Sequence, residues 1–187
     1  FFTFEPKTIR ILNCDATSSK SLDHLFSGSS NVETIEMKDL DASNVTDMSD
    51  MFYRCSGATT IDIANWNTSS VTNLSKAFLF CKNVTSLDLS SWDTSKVTNI
   101  SGMFNSCDSL TSLNLSGFDT TKVTDMSGMF LGCKSLTSLD LSGFDTSKVT
   151  TMMSMFSSCS SLTSIDVSHF NTSNVTVMRS MFYGCSG

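Results

Sequence analysis

The sequence has few of the residues that catalytic sites use. Its only two histidines, His24 and His169, lie many residues apart, and neither stands beside a serine or cysteine in a recognisable nucleophile motif. A glycine-rich phosphate-binding loop is also absent from the sequence. These absences argue against an enzyme, and we expect no catalytic residue, no bound metal and no cofactor.

Basic residues and long apolar runs are scarce as well. Lys and Arg number 12 against 18 Asp and Glu, which gives a net charge of −6 and argues against nucleic-acid binding. The longest apolar runs span only a few residues, whereas a bilayer requires about 20. We therefore expect no membrane span in this sequence, and it shows no signal-peptide pattern.

What the sequence does contain is a strict repeat of 26 residues. Cysteines recur at this interval, and so do phenylalanines and a second set of aromatic residues, with no insertion or deletion. We call the residues at one place in successive units a column. The cysteine column is Cys55, Cys81, Cys107, Cys133, Cys159 and Cys185.

The repeat divides the chain into an N-terminal segment, 1–31, and six regular units. The segment is expected to hold a cap at Phe1 to Pro6, followed by a degenerate N-terminal coil. Because the last unit ends at Gly187 without such a cap, we expect the sequence to be a segment of a longer protein. The regular units, coils one to six, are 32–57, 58–83, 84–109, 110–135, 136–161 and 162–187.

Each unit shows two hydrophobic periods, as the unit at 110–135 illustrates. Leucines two residues apart predict a short strand with one inward face. Apolar residues then recur at i, i+3, i+4 and i+7, which predicts a two-turn helix. The expected core columns in this unit are Leu113, Leu115, Phe118, Met126, Met129, Phe130 and Cys133.

Elements this short cannot bury their apolar faces alone, so successive units must stack. The sequence therefore predicts an α/β solenoid, a right-handed leucine-rich-repeat-like stack of coils that each contain a strand and a short helix. Strands stack about 4.8 Å apart, whereas helices need about 8–10 Å. The stack should therefore curve, with its parallel sheet on the concave side.

The unit resembles the BspA-like leucine-rich-repeat surface proteins, including related repeats of mycoplasma lipoproteins. The segments 136–150 (LTSLDLSGFDTSKVT) and 126–130 (MSGMF) carry this resemblance, which covers 32–187. The resemblance implies a secreted or cell-surface bacterial protein involved in adhesion to host matrix proteins or to other cells. It implies no catalytic residue.

One column departs from the usual leucine-rich-repeat pattern. An aromatic residue such as Trp66 or Phe118 stands where an Asn or Cys ladder is usual, and it cannot satisfy the backbone amides of the turn. The residues that follow can do so through Asx turns. These are Asp41, Asn67, Asp93, Asp119, Asp145 and Asn171.

The cysteine column is open to three interpretations: disulfides, metal ligands or buried thiols. On stacked helices the cysteines would lie about 8–10 Å apart, beyond the roughly 7 Å Cα limit for a disulfide. No C-x-x-C pair or histidine accompanies them. We therefore expect buried thiols that pack as small apolar groups.

A polar surface is expected on the outward face of the strands. Its acidic column contains Glu36, Asp62, Asp88, Asn114, Asp140 and Asp166, flanked by Thr85, Thr111, Thr137 and Thr163. Stacked carboxylates should raise one another's pKa, which a basic partner or a divalent cation would relieve. The alternative is a solvated strand face without a ligand, and ice binding by the threonines is a remote third possibility.

These features favour a binding module over an enzyme. Charged residues make up 16% of the chain, below the roughly 25% of ordinary soluble domains, and the hydroxyl-rich composition favours an extracellular location. We expect the sheet face to recognise an extracellular protein or glycan. The alternative is a passive spacer that presents another domain, and the uncapped last coil is a further candidate for end-to-end self-association.

Overall fold

The computed structural model describes residues 6–12 and 14–187. The proposed cap at Phe1 to Pro6 therefore lies almost wholly outside the described residues. Strand β1 spans Thr8–Leu12 in the N-terminal coil, and one strand follows at the start of each of the next four coils. These are β2 (Thr34–Lys38), β3 (Thr60–Asp62), β4 (Ser86–Asp88) and β5 (Ser112–Asn114).

The strands form parallel ladders in which every residue pairs with the residue 26 positions later. One sheet has the order β1-β2-β3, with Ile9 opposite Ile35 and Ile35 opposite Ile61. A second sheet pairs β4 with β5 in the same register. The stack continues through coils five and six, where Thr176 N–H donates to the Thr150 carbonyl at 2.8 Å. The chain is therefore a repeat solenoid with parallel strand pairing.

The predicted helix is wrong: the part of the chain that the structure describes contains strands and turns but no helix. In coil four, Met126, Gly128 and Phe130 each donate a backbone hydrogen bond to coil five, at 3.1, 2.8 and 2.9 Å. The amides between them close tight turns within the coil, such as Leu131 N–H to the Gly128 carbonyl at 3.1 Å. Consecutive turns thus place apolar residues at the same spacing as a helix does.

The reason lies in how closely the coils stack. A helix satisfies its hydrogen bonds internally and holds its neighbours about 8–10 Å away. Here half of the amides bond directly to the next coil, and the phenylalanine rings of successive coils lie 5.1–5.7 Å apart. This spacing is close to that of the strands. The wide helix spacing from which we predicted curvature is therefore absent, and both the curvature and the right-handed winding stay predictions.

The interior is built from the repeated columns. In coil four, Leu115, Phe118 and Phe130 are buried, whereas Leu113 is partly exposed. Met126, Met129 and Cys133 of the same coil are completely buried. The phenylalanine column forms a continuous stack with interplanar angles of 6–12°, from Phe26 to Phe182. Aromatic stacking adds to the burial of apolar area in every coil.

All seven cysteines are free, as the sequence analysis expects. The argument used there, that stacked helices hold the cysteines too far apart for a disulfide, is wrong because the described residues contain no helix. Each thiol of the cysteine column donates to the carbonyl of a phenylalanine 29 residues earlier, at 3.0–3.3 Å. Burial raises the pKa of Cys55 and of Cys159 to about 12. Burial also raises the pKa of Cys81, Cys107 and Cys133, so these five thiols are protonated packing groups at neutral pH.

Candidate functional site

The acidic column lies on the outward face of strands β2 to β5 and continues at the same place in coils five and six, which contain no assigned strand. Alternation along β2 buries Ile35 and Met37 and turns Glu36 outward. Glu36 and Asp62 are half-buried, and the remaining members, Asp88, Asn114, Asp140 and Asp166, are exposed. The flanking residues Thr85, Thr111, Thr137 and Thr163 are also exposed. The predicted residues therefore share one polar surface.

The N-terminal part of this surface already contains its counterions. Arg10 of β1 lies opposite Glu36 and forms an ion pair with it. The hydrogen bond that Arg10 donates lowers the pKa of Glu36, and the charge of Arg10 adds to the effect. Lys38 pairs with Asp62 at 2.8 Å. In coils one and two the carboxylates of the column, Glu36 and Asp62, are thus compensated within the protein.

The later carboxylates have no such cation among the described residues. Each accepts a hydrogen bond from the backbone two residues later: Asp88 from Ser90 at 3.0 Å, and Asp140 from Ser142 at 2.9 Å. Asp166 accepts the equivalent bond at 2.9 Å, and Asn114 at 3.1 Å. The acidic side chains are therefore also the Asx turns that end each strand.

These turns reverse the predicted direction of the pKa shift. The backbone hydrogen bonds from Ser90 and Ser142 lower the pKa of Asp88 and Asp140. Hydrogen bonding from Ser168 lowers the pKa of Asp166 in the same way. The expectation that mutual repulsion raises these pKa values is therefore wrong, because local hydrogen bonds to the charged form dominate. The carboxylates are ionised at neutral pH.

A metal site does not form on this surface as described. No group of three or more His, Cys, Asp or Glu that could hold a metal ion occurs in residues 6–12 and 14–187. Shallow grooves are present instead. One, of about 450 Å³, is lined by residues of coils two and three that include Asp62, Thr85 and Asp88. A smaller one, of about 200 Å³, includes Asn114 and Asp140.

A second column of Asx turns confirms the prediction for the residues after the aromatic column. Asp93 accepts from Ser95 N–H at 3.0 Å, and Asp119 and Asp145 accept equivalent bonds at 2.9 and 2.8 Å. Asp41, Asn67 and Asn171 do the same in their coils. A third column of Asx turns includes Asp125, which accepts a hydrogen bond from Ser127 N–H at 2.8 Å.

The sequence analysis missed a buried threonine column, consisting of Thr68, Thr94, Thr120 and Thr146. Each hydroxyl donates to a backbone carbonyl of the next coil at 2.9–3.1 Å. Thr120 also accepts from Asp145 N–H at 2.8 Å. The signal was the fixed threonine two residues after each aromatic, which a solvent-exposed bend would not require.

The histidines lie on separate parts of the stack. His24 Nδ1 lies 3.3 Å from the Asp23 carboxylate, and His169 Nε2 lies 3.0 Å from the Leu141 carbonyl. None of the described residues form a helix that is long and apolar enough to cross a membrane.

Fold and surface together define a class of protein: a repeat solenoid of stacked 26-residue coils that displays columns of polar side chains. The chain belongs to the family described as Mycoplasma protein of unknown function, DUF285, whose model matches residues 20–114 and 106–187. No curated protein and no solved structure matches the chain.

Proposed function

We propose that the chain is a non-enzymatic binding module. The part of its acidic column that lies in coils three to six recognises a partner. The observation that carries the proposal is the row Asp88, Asp140 and Asp166, which is exposed and forms no ion pair within the described residues. The same column in coils one and two is paired with cations. A partner contact is the simplest use for the unpaired charges.

The partner is a basic segment of an extracellular protein or a hydroxyl-rich glycan. Lys and Arg side chains would pair with the three carboxylates, and sugar hydroxyls would bond to the carboxylates and to Thr111, Thr137 and Thr163. Exposed ion pairs contribute little individually, so recognition rests on several contacts in register along the stack. Repetition of the column at a fixed interval supplies that register.

The resemblance to BspA-like surface repeats supports a cell-surface or secreted location and an adhesin role. The hydroxyl-rich composition supports the same proposal. Both the location and the adhesion to host matrix or neighbouring cells are proposals, as is the closer relationship to leucine-rich-repeat adhesins.

The experiment exploits the turn role of the column. Replacing Asp88, Asp140 and Asp166 together by Asn removes three charges but keeps the Asx-turn acceptor, as Asn114 does naturally. Biolayer interferometry against immobilised extracellular matrix proteins and a glycan array should then show saturable binding by the wild type and at least tenfold weaker binding by the variant. Divalent cations at millimolar concentration form a further arm.

The matched control replaces Asp93, Asp119 and Asp145 by Asn. These residues have the same turn role and the same charge but belong to the neighbouring column. The control should bind as the wild type does. If both variants lose binding equally, the interaction depends on overall charge and not on the acidic column. If no ligand of the panel binds, the passive spacer is favoured.

Self-association through the last coil is a separate prediction about partners. Met178 and Phe182 of coil six are 47% and 46% exposed, whereas their columns are buried in the interior coils, and Tyr183 beside them is 73% exposed. Sedimentation velocity should reveal a dimer that Phe182→Ser weakens. A monomer at all concentrations would contradict this prediction and leave the acidic column unaffected.

A further inference from the structure

A second polar surface lies on the turn side of the first coils, away from the strand face. A groove of about 510 Å³ runs across the N-terminal coil and coils one and two, and this volume is in the range of ligand sites. Its lining contains two cations, one aromatic ring and no carboxylate. The lining residues are Gly28, Ser30, Arg54, Ser56, Phe80 and Lys82.

The charged groups of this groove are held by aromatic rings. The Arg54 guanidinium carbon lies 5.1 Å from the centre of the Tyr53 ring and 5.8 Å from that of Phe80. Lys82 Nζ lies 5.9 Å from the same Phe80 ring. A guanidinium stacked on a ring keeps its N–H edge available for a bidentate oxyanion, and stacking restricts its rotamers before a ligand arrives.

Neither cation is neutralised by a carboxylate of residues 6–12 or 14–187. The ion pairs of the described residues include neither Arg54 nor Lys82. The nearest carboxylate along the column of Lys82 is Asp108, one coil further on, and Asp108 is paired with Lys134 at 3.2 Å. In a chain of net charge −6, two exposed and unpaired cations in one groove form a local site for an anion.

The residue types at this place depart from the repeat, although the backbone conformation does not. Arg54 and Phe80 occupy a column in which every described member has a positive φ, 58° and 63° for these two. In the other coils the same column contains only Gly or Ser, namely Gly28, Ser106, Gly132, Ser158 and Gly184. Bulky residues rarely adopt this left-handed conformation, and strain of this kind concentrates at functional sites. Folding alone would favour glycine at both positions.

The main-chain N–H groups at the left-handed positions of the groove are already hydrogen-bonded within the stack. Gly28 N–H donates to the Tyr53 carbonyl, Arg54 N–H to Leu79 and Phe80 N–H to Asn105, at 2.7–2.9 Å. At these three positions a peptide strand therefore finds no free N–H with which to extend a ladder. Recognition depends on side chains: two cations for oxyanions, one ring, and the hydroxyls of Ser30 and Ser56.

We propose that this groove binds an anionic saccharide chain through its sulfate or carboxylate groups, with Arg54 and Lys82 as the anion ligands and Phe80 and the serine hydroxyls facing the sugar. The groove crosses three coils, which suits an extended chain with repeated oxyanions better than a single small ion. The site is independent of the acidic column, which lies on the strand face and has the opposite charge.

The test uses substitutions that the repeat itself contains. Arg54→Gly matches Gly132 and Gly184, and Lys82→Ser matches Ser56 and Ser160, so both variants retain residues that this fold accepts at these places. Titration calorimetry with a heparin oligosaccharide and with hyaluronan should show saturable binding by the wild type to at least one of them. Each single variant should weaken that binding at least tenfold, and the double variant should abolish it.

The matched control is Lys148→Asn, which removes one positive charge from an exposed position that Asn174 occupies in the next coil. It should leave the affinity unchanged. Inorganic sulfate should compete only at much higher concentration, and polyglutamate should bind at least tenfold more weakly than the saccharide. The proposal is overturned if neither saccharide binds, if Lys148→Asn weakens binding as much as Arg54→Gly does, or if polyglutamate binds as tightly.

Discussion

The first two regular coils and the last four share one core but display different surfaces. Coils one and two pair their strand-face carboxylates with Arg10 and Lys38, and they place Arg54 and Phe80 at left-handed positions on the turn side. Coils three to six leave their acidic residues unpaired among the described residues and use Gly or Ser at those positions. Because the phenylalanine and cysteine columns continue unchanged through all six coils, folding does not require these differences.

Residues that every coil requires for folding can thus be distinguished from exposed residues that vary between coils. Columns that are identical in every coil, such as the phenylalanine stack, belong to the fold, and departures at exposed places are candidates for recognition. The stack thus offers an acidic surface at one end and a cationic groove at the other.

The largest expected effect lies in the phenylalanine stack. Phe130 is completely buried between Phe104 and Phe156, with ring centres 5.7 and 5.6 Å away. Phe130→Ala should lower the free energy of unfolding by about 3–5 kcal/mol, because it removes a ring from both neighbours and leaves a cavity. Urea denaturation followed by circular dichroism measures this change in the free energy of unfolding.

Phe182→Ala in the last coil is the matched variant. Phe182 is 46% exposed and stacks on Phe156 alone at 5.5 Å, so its loss should cost less than half as much. Equal effects at the two positions would contradict the difference between the interior and the last coil.

The next effect concerns the buried threonine column. The Thr120 hydroxyl donates to the Asp145 carbonyl and accepts from its N–H, at 2.9 and 2.8 Å, in a buried position. Thr120→Val keeps the side-chain shape and leaves both backbone groups without this partner, so unfolding free energy should fall by about 1–3 kcal/mol.

The matched variant for this column is Thr124→Val, whose hydroxyl is exposed and donates to Thr98 at 3.3 Å. Water can replace that bond, and the change should stay within about 0.5 kcal/mol. A larger cost at Thr124 than at Thr120 would show that the exposed threonine ladder stabilises the stack more than the buried column.

These cases show how far the sequence determines the structure. The 26-residue register, the stacking of units and the inward apolar columns follow directly from periodicity. The spacing of Met126, Met129, Phe130 and Cys133 fits both a helix and a series of turns, and only the spacing between coils decides between them. Hydrophobic period alone contains no information on that distance.

The surface was harder to predict for a different reason. An aspartate after a strand can be an Asx turn, a ligand or both, and for Asp88 the backbone hydrogen bond is visible only once the turn is built. The groove at Arg54 and Phe80 was detectable in principle, since both residues differ from the Gly or Ser of their column. Comparing coils for departures, in addition to agreement, would have singled them out.

A smaller effect tests the left-handed turn positions. Gly132 has φ 74°, and a Cβ there would meet Ser106 Oγ at 3.4 Å, so Gly132→Ala should destabilise the protein by about 1 kcal/mol. Gly143 has no atom within 4 Å of a built Cβ and an ordinary φ, so Gly143→Ala should be neutral or slightly stabilising. Thermal unfolding of the two variants side by side measures the difference. Equal melting temperatures would contradict the prediction that the positive φ of this column disfavours residues with a Cβ.

The smallest effect is the dependence of stability on pH. Hydrogen bonding to the following residues lowers the pKa of Asp93, Asp119 and Asp145 in the folded protein. Their contribution to stability is therefore complete above the unfolded pKa of about 3.9 and is lost as the pH falls through the lower folded value. The melting temperature should be nearly constant from about pH 5 to 7 and should decline below about pH 4.

Replacing the three residues by Asn keeps the turn acceptor without a titrating group, as Asn67 and Asn171 do. The melting temperature of this variant should therefore decline less steeply in acid. If the melting temperatures of the variant and the wild type fall in parallel, the charge of these three residues does not contribute to stability. The loss of stability in acid then comes from the remaining carboxylates.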